Sequence, residues 1–133
     1  MKEKWNNCAT LGGKQKEFAW KYDKNKGLII KRIISDNIVT TSFTEEEINK
    51  IIVYISNSKQ VKLANSVTKL QNKNEKDGLG KFVYEELDRD ISDAQAVSQL
   101  AAILVNEGIL GYNGRKRGME FWVEDDDWKT KLN

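Results

Sequence analysis

Histidine and proline are absent from this chain of 133 residues, and cysteine occurs once, as Cys8. Without imidazole there is no histidine base, no Ser-His or Cys-His nucleophile and no histidine metal ligand. A single thiol excludes an internal disulfide and a thiolate zinc site built by one chain, and it fits a reducing, cytoplasmic setting. Without proline, turns fall to glycine and asparagine. No run of 18 apolar residues occurs, so no membrane span is expected. The opening MKEKWNNCATLGGK has no apolar stretch of the kind a signal peptide needs. Leu11-Gly12-Gly13-Lys14 lacks the GxxxxGK[ST] spacing of a phosphate loop, and no motif calls for a cofactor.

What is present is charge and bulk. Charged residues make up 32% of the chain and 12 aromatic residues supply core volume, enough for one ordinary domain or two very small ones. Net charge is only +2, but it is unevenly spread. Residues 1–43 carry 9 Lys/Arg against 4 Asp/Glu, whereas Glu124-Asp125-Asp126-Asp127 forms an acidic run near the other end.

Periodicity divides the chain. Phe18, Trp20 and Tyr22 alternate with polar neighbours, Leu28–Ile34 is β-branched, and Ile38–Phe43 is a third such run. Turn residues at 23–27 and 35–37 join them into a three-strand meander. The alternation is expected to mark the buried face of a sheet, with base stacking by Phe18, Trp20 and Tyr22 as the competing reading. Thr44 and Glu47 form a capping box, and Ile48, Ile51, Ile52 and Ile55 give a helix over 45–57 one apolar stripe. Residues 58–76 fit either a short strand (Val61, Leu63) or a helix (Leu63, Val67, Leu70). Leu79, Phe82, Val83 and Leu87 predict a helix over 79–88. Ser92 then caps a longer one over 93–107, ended by Gly108 at C′. Asn113-Gly114 favours a hairpin turn leading to a strand from Met119 to Val123. The expected architecture is α+β: residues 1–58 as meander plus helix, 59–76 as a connection, and 77–133 as a second subdomain with an acidic tail.

A helix, a short break, a capped helix, Gly-Ile-Leu and a hairpin with a basic tip follow one another over residues 79–123. This succession resembles a winged helix-turn-helix domain, and AVSQLAAILVNEGIL at 96–110 resembles its recognition helix and exit. The family uses two helices before the capped one. Either the second comes from residues 60–73, which extends the resemblance to about residues 60–123, or the fold is a variant of the family's. Residues 15–57 resemble no named family.

The resemblance implies non-enzymatic DNA binding, as a transcriptional regulator or a mobile-element accessory factor. Double-stranded DNA is the expected partner, and homodimers on paired half-sites are common for such domains. Gln95, Ser98 and Gln99 would face base edges in the major groove. Asn113, Arg115, Lys116 and Arg117 on the wing would meet phosphates or a minor groove. The competing readings are a polar helix face and a solvated charged turn. A protein-interaction module on the same scaffold is the alternative, favoured by near-neutral net charge. A continuous basic face joining Arg115–Arg117 to the N-terminal lysines argues for DNA, and a wing opposed by the acidic run argues for protein. Asp127-Trp128-Lys129 contains the acid-x-Lys element of metal-dependent nucleases, but no strand pattern surrounds it. The acidic run reads more simply as a solvated end, or as a segment competing with DNA for the basic tip.

Overall fold

The computed structural model describes residues 4–133 and has an α+β architecture. Four strands, β1 (Asn6–Ala9), β2 (Glu17–Asp23), β3 (Gly27–Ile34) and β4 (Asn37–Phe43), form an antiparallel sheet in sequence order. Phe18 and Trp20 are buried, as alternation requires, together with Leu28, Ile30 and Phe43. On the opposite face, Lys21 and Lys31 lie over the Trp5 ring, 4.7 and 4.2 Å from its centroid. The meander therefore gains a fourth strand, β1, within a stretch whose sequence looks irregular. Its Asn-Asn-Cys-Ala run has little strand propensity, and pairing with β2 from Asn6↔Trp20 to Ala9↔Glu17 supplies what local preference does not.

Helix α1 (Glu45–Ser58) begins at Thr44 with both halves of the capping box made: Glu47 N–H donates to Thr44 Oγ1 at 3.1 Å, and Thr44 N–H to Glu47 Oε1 at 3.0 Å. Its four isoleucines are buried, and the helix packs against β7 (Glu120–Val123). The remaining elements are β5 (Val61–Lys62), α2 (Val67–Gln71), α3 (Leu79–Lys81) continued by a π-helical turn over Phe82–Glu86, α4 (Ile91–Gln95), α5 (Val97–Asn106), β6 (Leu110–Tyr112) and α6 (Trp128–Leu132). Strands β5, β7 and β6 form a second antiparallel sheet in that order. Among the described residues no helix is long and apolar enough to cross a membrane.

Three local expectations are corrected. The helix expected over 93–107 starts earlier and is broken at Ala96 into α4 and α5. Its cap is Asp90, whose carboxylate accepts from Asp93 N–H at 2.8 Å. Ser92 lies inside the helix, where its hydroxyl and carbonyl oxygens each accept from Arg32 at 3.1 Å. The acidic run is not a free end either, because α6 follows it and buries Trp128 and Leu132. Trp128 meets Tyr22 edge-on at 6.3 Å, and the Tyr22 hydroxyl donates to Glu45. Lys129 pairs with Glu45 and Lys131 with Asp125.

One cluster of buried apolar side chains runs from Phe18 to Leu132 and includes both sheets, α1 and α5. Helix α5 sits deep within it, with Val97, Leu100, Ala101, Ala102, Ile103 and Leu104 all buried. Its far end meets β1, where the Asn106 carboxamide donates to Cys8 Sγ at 2.8 Å. Burial raises the Cys8 thiol above its ordinary pKa, against the lowering effect of the Asn106 contact. Fewer thiolates form, so iodoacetamide at pH 8 is expected to alkylate the native protein at least ~5-fold more slowly than the urea-unfolded chain. Equal rates would show Cys8 to be open.

Candidate functional site

The β6–β7 hairpin carries the basic tip. Asn113 N–H donates to Glu120 O at 3.2 Å, the last rung before the turn. The Asn113 carboxamide is used inside the turn: Nδ2 donates to Gly118 O at 3.0 Å, and Oδ1 accepts from Arg115 N–H at 3.1 Å. Asn113 thus shapes the tip, and its amide is already occupied there. Gly114, with φ +77°, takes the left-handed conformation that a side chain would resist. Arg115, Lys116 and Arg117 are exposed.

A shallow cleft of about 450 Å³ separates the tip from the segment around α2, and it sets Lys62, Lys69 and Lys76 beside Arg115, Lys116 and Arg117. These three lysines come from the stretch that periodicity leaves ambiguous. Close backbone packing holds that stretch in place. Gly80 N–H donates to Leu63 O at 2.8 Å, and a Cβ at Gly80 would fall 2.4 Å from Ala64 O. Two carboxylates share the cleft, Glu75 and Glu120. Glu75 is buried and turned inward, accepting from Ser66 N–H and Lys76 N–H at 2.9 Å each. The acidic run sits at the other end of the hairpin. Glu124 N–H bonds Ile109 O at the base, and Asp126 and Asp127 flank Glu45 and Glu46 at the start of α1.

Beside this surface lies a second cleft of about 480 Å³. Its floor comes from α4 and α5 and its wall from β2, β3 and the β1–β2 loop. Gln95, Ser98 and Gln99 meet here, so the structure gathers the three helix residues singled out by sequence. Only Gln95 is exposed. Ser98 Oγ accepts from Asn65 Nδ2 at 2.9 Å, and the Asn65 amide also reaches Gln95 O at 3.3 Å. Lys14 and Lys16 stand at the rim, and Leu63, Asn65 and Met119 line both clefts. The loop that carries Lys14 approaches the tip: a Cβ on Gly12 would lie 4.0 Å from Lys116 O.

The N-terminal cations are thus divided. Lys14 and Lys16 adjoin the wing, Lys21 and Lys31 cover Trp5, Lys24 and Lys26 sit at the β2–β3 turn, and Arg32 is buried. Arg32 is one of the 9 Lys/Arg counted over residues 1–43, yet only 6% of it is exposed. The signal is register, not residue type: at period two Arg32 continues the core-facing series of Leu28 and Ile30. Apolar side chains are exposed together at this end of the sheet: Ile33, Ile34 and Ile38, with Ile33 directly opposite Ile38 across the β3–β4 ladder.

Comparison with known proteins finds no family model that matches the chain, no similar curated protein and no similar solved structure.

Proposed function

We propose that the chain is a non-enzymatic DNA-binding protein in which residues about 60–123 act as a winged-helix-like unit. The observation that carries this reading is the basic cleft, where Lys62, Lys69 and Lys76 face Arg115, Lys116 and Arg117. Phosphate binding needs such a continuous set of solvated cations, and it supplies most sequence-independent affinity. Lys14 and Lys16 extend the set along the adjoining cleft, while the acidic run engages the opposite end of the hairpin. The hairpin after a capped helix and the short α2 within residues 60–73 fit the resemblance. Exposed Gln95 is the helix residue open to a base edge, whereas enclosed α5 offers no free face for a groove. Regulation of transcription or service to a mobile element both follow from such a unit, which would work without a cofactor in a cytoplasmic setting.

The test is fluorescence anisotropy of labelled random duplex DNA at about 50 and 200 mM salt. Binding is expected at the lower concentration, with a loss of roughly 10³-fold at the higher one if about six phosphates are contacted. No binding at low salt would end the DNA reading. A second reading, a protein-interaction module or homodimer, draws on exposed Ile33, Ile34 and Ile38. It would gain if Ile33→Asp/Ile38→Asp abolished self-association detected by sedimentation.

A further inference from the structure

Two residues lining the cleft of Gln95, Ser98 and Gln99 carry a polar atom that the fold leaves unmatched. Arg32 Nε and Gln99 Oε1 are closed to solvent and have no hydrogen-bond partner among the described residues. Native structures leave few such groups, and each calls for an explanation. Arg32 is the more telling. Its Nη2 donates to Thr41 Oγ1 at 3.5 Å and to both Ser92 oxygens. Among the described residues no carboxylate lies within ion-pair distance of it. Burial lowers its pKa, against the more distant pull of Asp93 and Asp90. A buried cation without a counter-charge is among the costliest groups to leave unpaired. Gln99 adds a second mismatch. Turning its amide over would exchange an unmet acceptor for an unmet donor.

The remaining lining narrows the ligand. Among the described residues Lys14, Lys16 and Arg32 outnumber the one acid of the lining, Glu17, so an anion is favoured. The volume of about 480 Å³ exceeds what inorganic phosphate fills and falls within the range of small-molecule sites. Gln95 and Gln99 carry amides, which combine donor and acceptor as the edge of a nucleobase requires. Leu11, Leu63 and Met119 give such a base an apolar border.

We infer that this cleft binds one nucleotide unit, with its base on the Gln95–Gln99 amides and its phosphate on Lys14, Lys16 and Arg32. The unit is either a free nucleoside monophosphate or a nucleotide of a single strand, extruded or terminal, because enclosed α5 cannot receive a stacked duplex. The strand source rests on the nucleic-acid reading above, and the two can fail separately.

Isothermal titration with nucleoside monophosphates, inorganic phosphate and a short single-stranded oligonucleotide tests the inference. Monophosphates are expected to bind with Kd of about 10–100 μM. Gln99→Leu should weaken them about 10-fold, as should Lys14→Ala/Lys16→Ala, and Arg115→Ala/Lys116→Ala/Arg117→Ala should leave them unchanged. Gln99→Leu should also raise Tm, because it removes an unmatched buried amide oxygen, so weaker binding cannot be ascribed to misfolding. Competition by the oligonucleotide supports the strand as source, and its failure to compete supports the free nucleotide. Absence of monophosphate binding, or phosphate alone binding as tightly, overturns the inference. Loss of duplex binding alone leaves it standing.

Discussion

Arg89→Ala is expected to lower the unfolding free energy by about 3 kcal/mol and Tm by roughly 10 °C. Arg89 joins three elements through one planar group. Its Nη1 donates to both Glu47 oxygens at 2.8 Å, Nε to Asp93 Oδ2 at 2.9 Å, and Nη2 to Ser42 O at 2.8 Å. The guanidinium also stands 5.1 Å from the Phe43 ring centroid. It therefore ties β4, the cap of α1 and the first turn of α4 together. The side chains of Arg89, Glu47 and Asp93 are about four-fifths buried, so solvent screens these pairs far less than surface ones. Burial alone would lower the Arg89 pKa, but hydrogen bonds to Glu47 and Asp93 raise it above the ordinary value. Removing the cation leaves two carboxylates and one carbonyl short of donors, and that deficit accounts for most of the expected loss. Arg89→Lys keeps the charge but lacks the fork, and should recover less than half of it. Urea unfolding checks both variants. A change below about 0.5 kcal/mol for Arg89→Ala would remove Arg89 from any structural role.

Asp88-Arg89-Asp90 also marks where sequence reasoning stops. Along the chain these residues read as a helix break, and they are one, with Asp88 at φ +56°. Nothing local tells that the arginine between the two acids reaches back 42 residues to Glu47. Helix α1 is legible because its signals are local, a capping box and four isoleucines on one stripe. Strands β2 to β4 are legible because one face alternates into the core. Strand β1 is not, since its residues extend only when β2 offers an edge. The caps at 90 and 92 could not be ranked by residue type, since Asp and Ser cap equally well; Arg32, arriving from β3, takes the Ser92 oxygens. The π-helical turn after α3 leaves no trace in periodicity, which still registers Leu79 and Val83 as buried.

The site divides the same way. Arg115–Arg117 are legible because a glycine-bounded turn must project what it carries. Lys62, Lys69 and Lys76 are not, because their placement opposite the tip depends on how residues 61–81 fold back on one another. Gln99 and Arg32 are visible as residue types, but their shared enclosure is a property of two elements meeting.

Arg115→Ala/Lys116→Ala/Arg117→Ala is expected to weaken duplex DNA binding on the order of 100-fold near 0.1 M salt, and to flatten the plot of log K against log salt by about 2 to 3. Each phosphate contact contributes about 0.9 to that slope through counterion release, so the slope counts contacts where affinity alone does not. The three side chains are exposed and make no ion pair among the described residues, and the turn is held by Asn113, so stability should stay within about 0.5 kcal/mol. Lys24→Ala/Lys26→Ala serves as the charge control. These lysines are exposed on the β2–β3 turn, away from both clefts, and their loss removes nearly as much charge. If binding merely followed net charge, the two variants would lose similar slope. If the tip touches phosphate, only the wing variant flattens, and Lys62→Ala/Lys69→Ala/Lys76→Ala flattens with it because those lysines share its cleft. An unchanged slope in the wing variant would mean that the tip is a solvated turn and that any DNA affinity resides elsewhere.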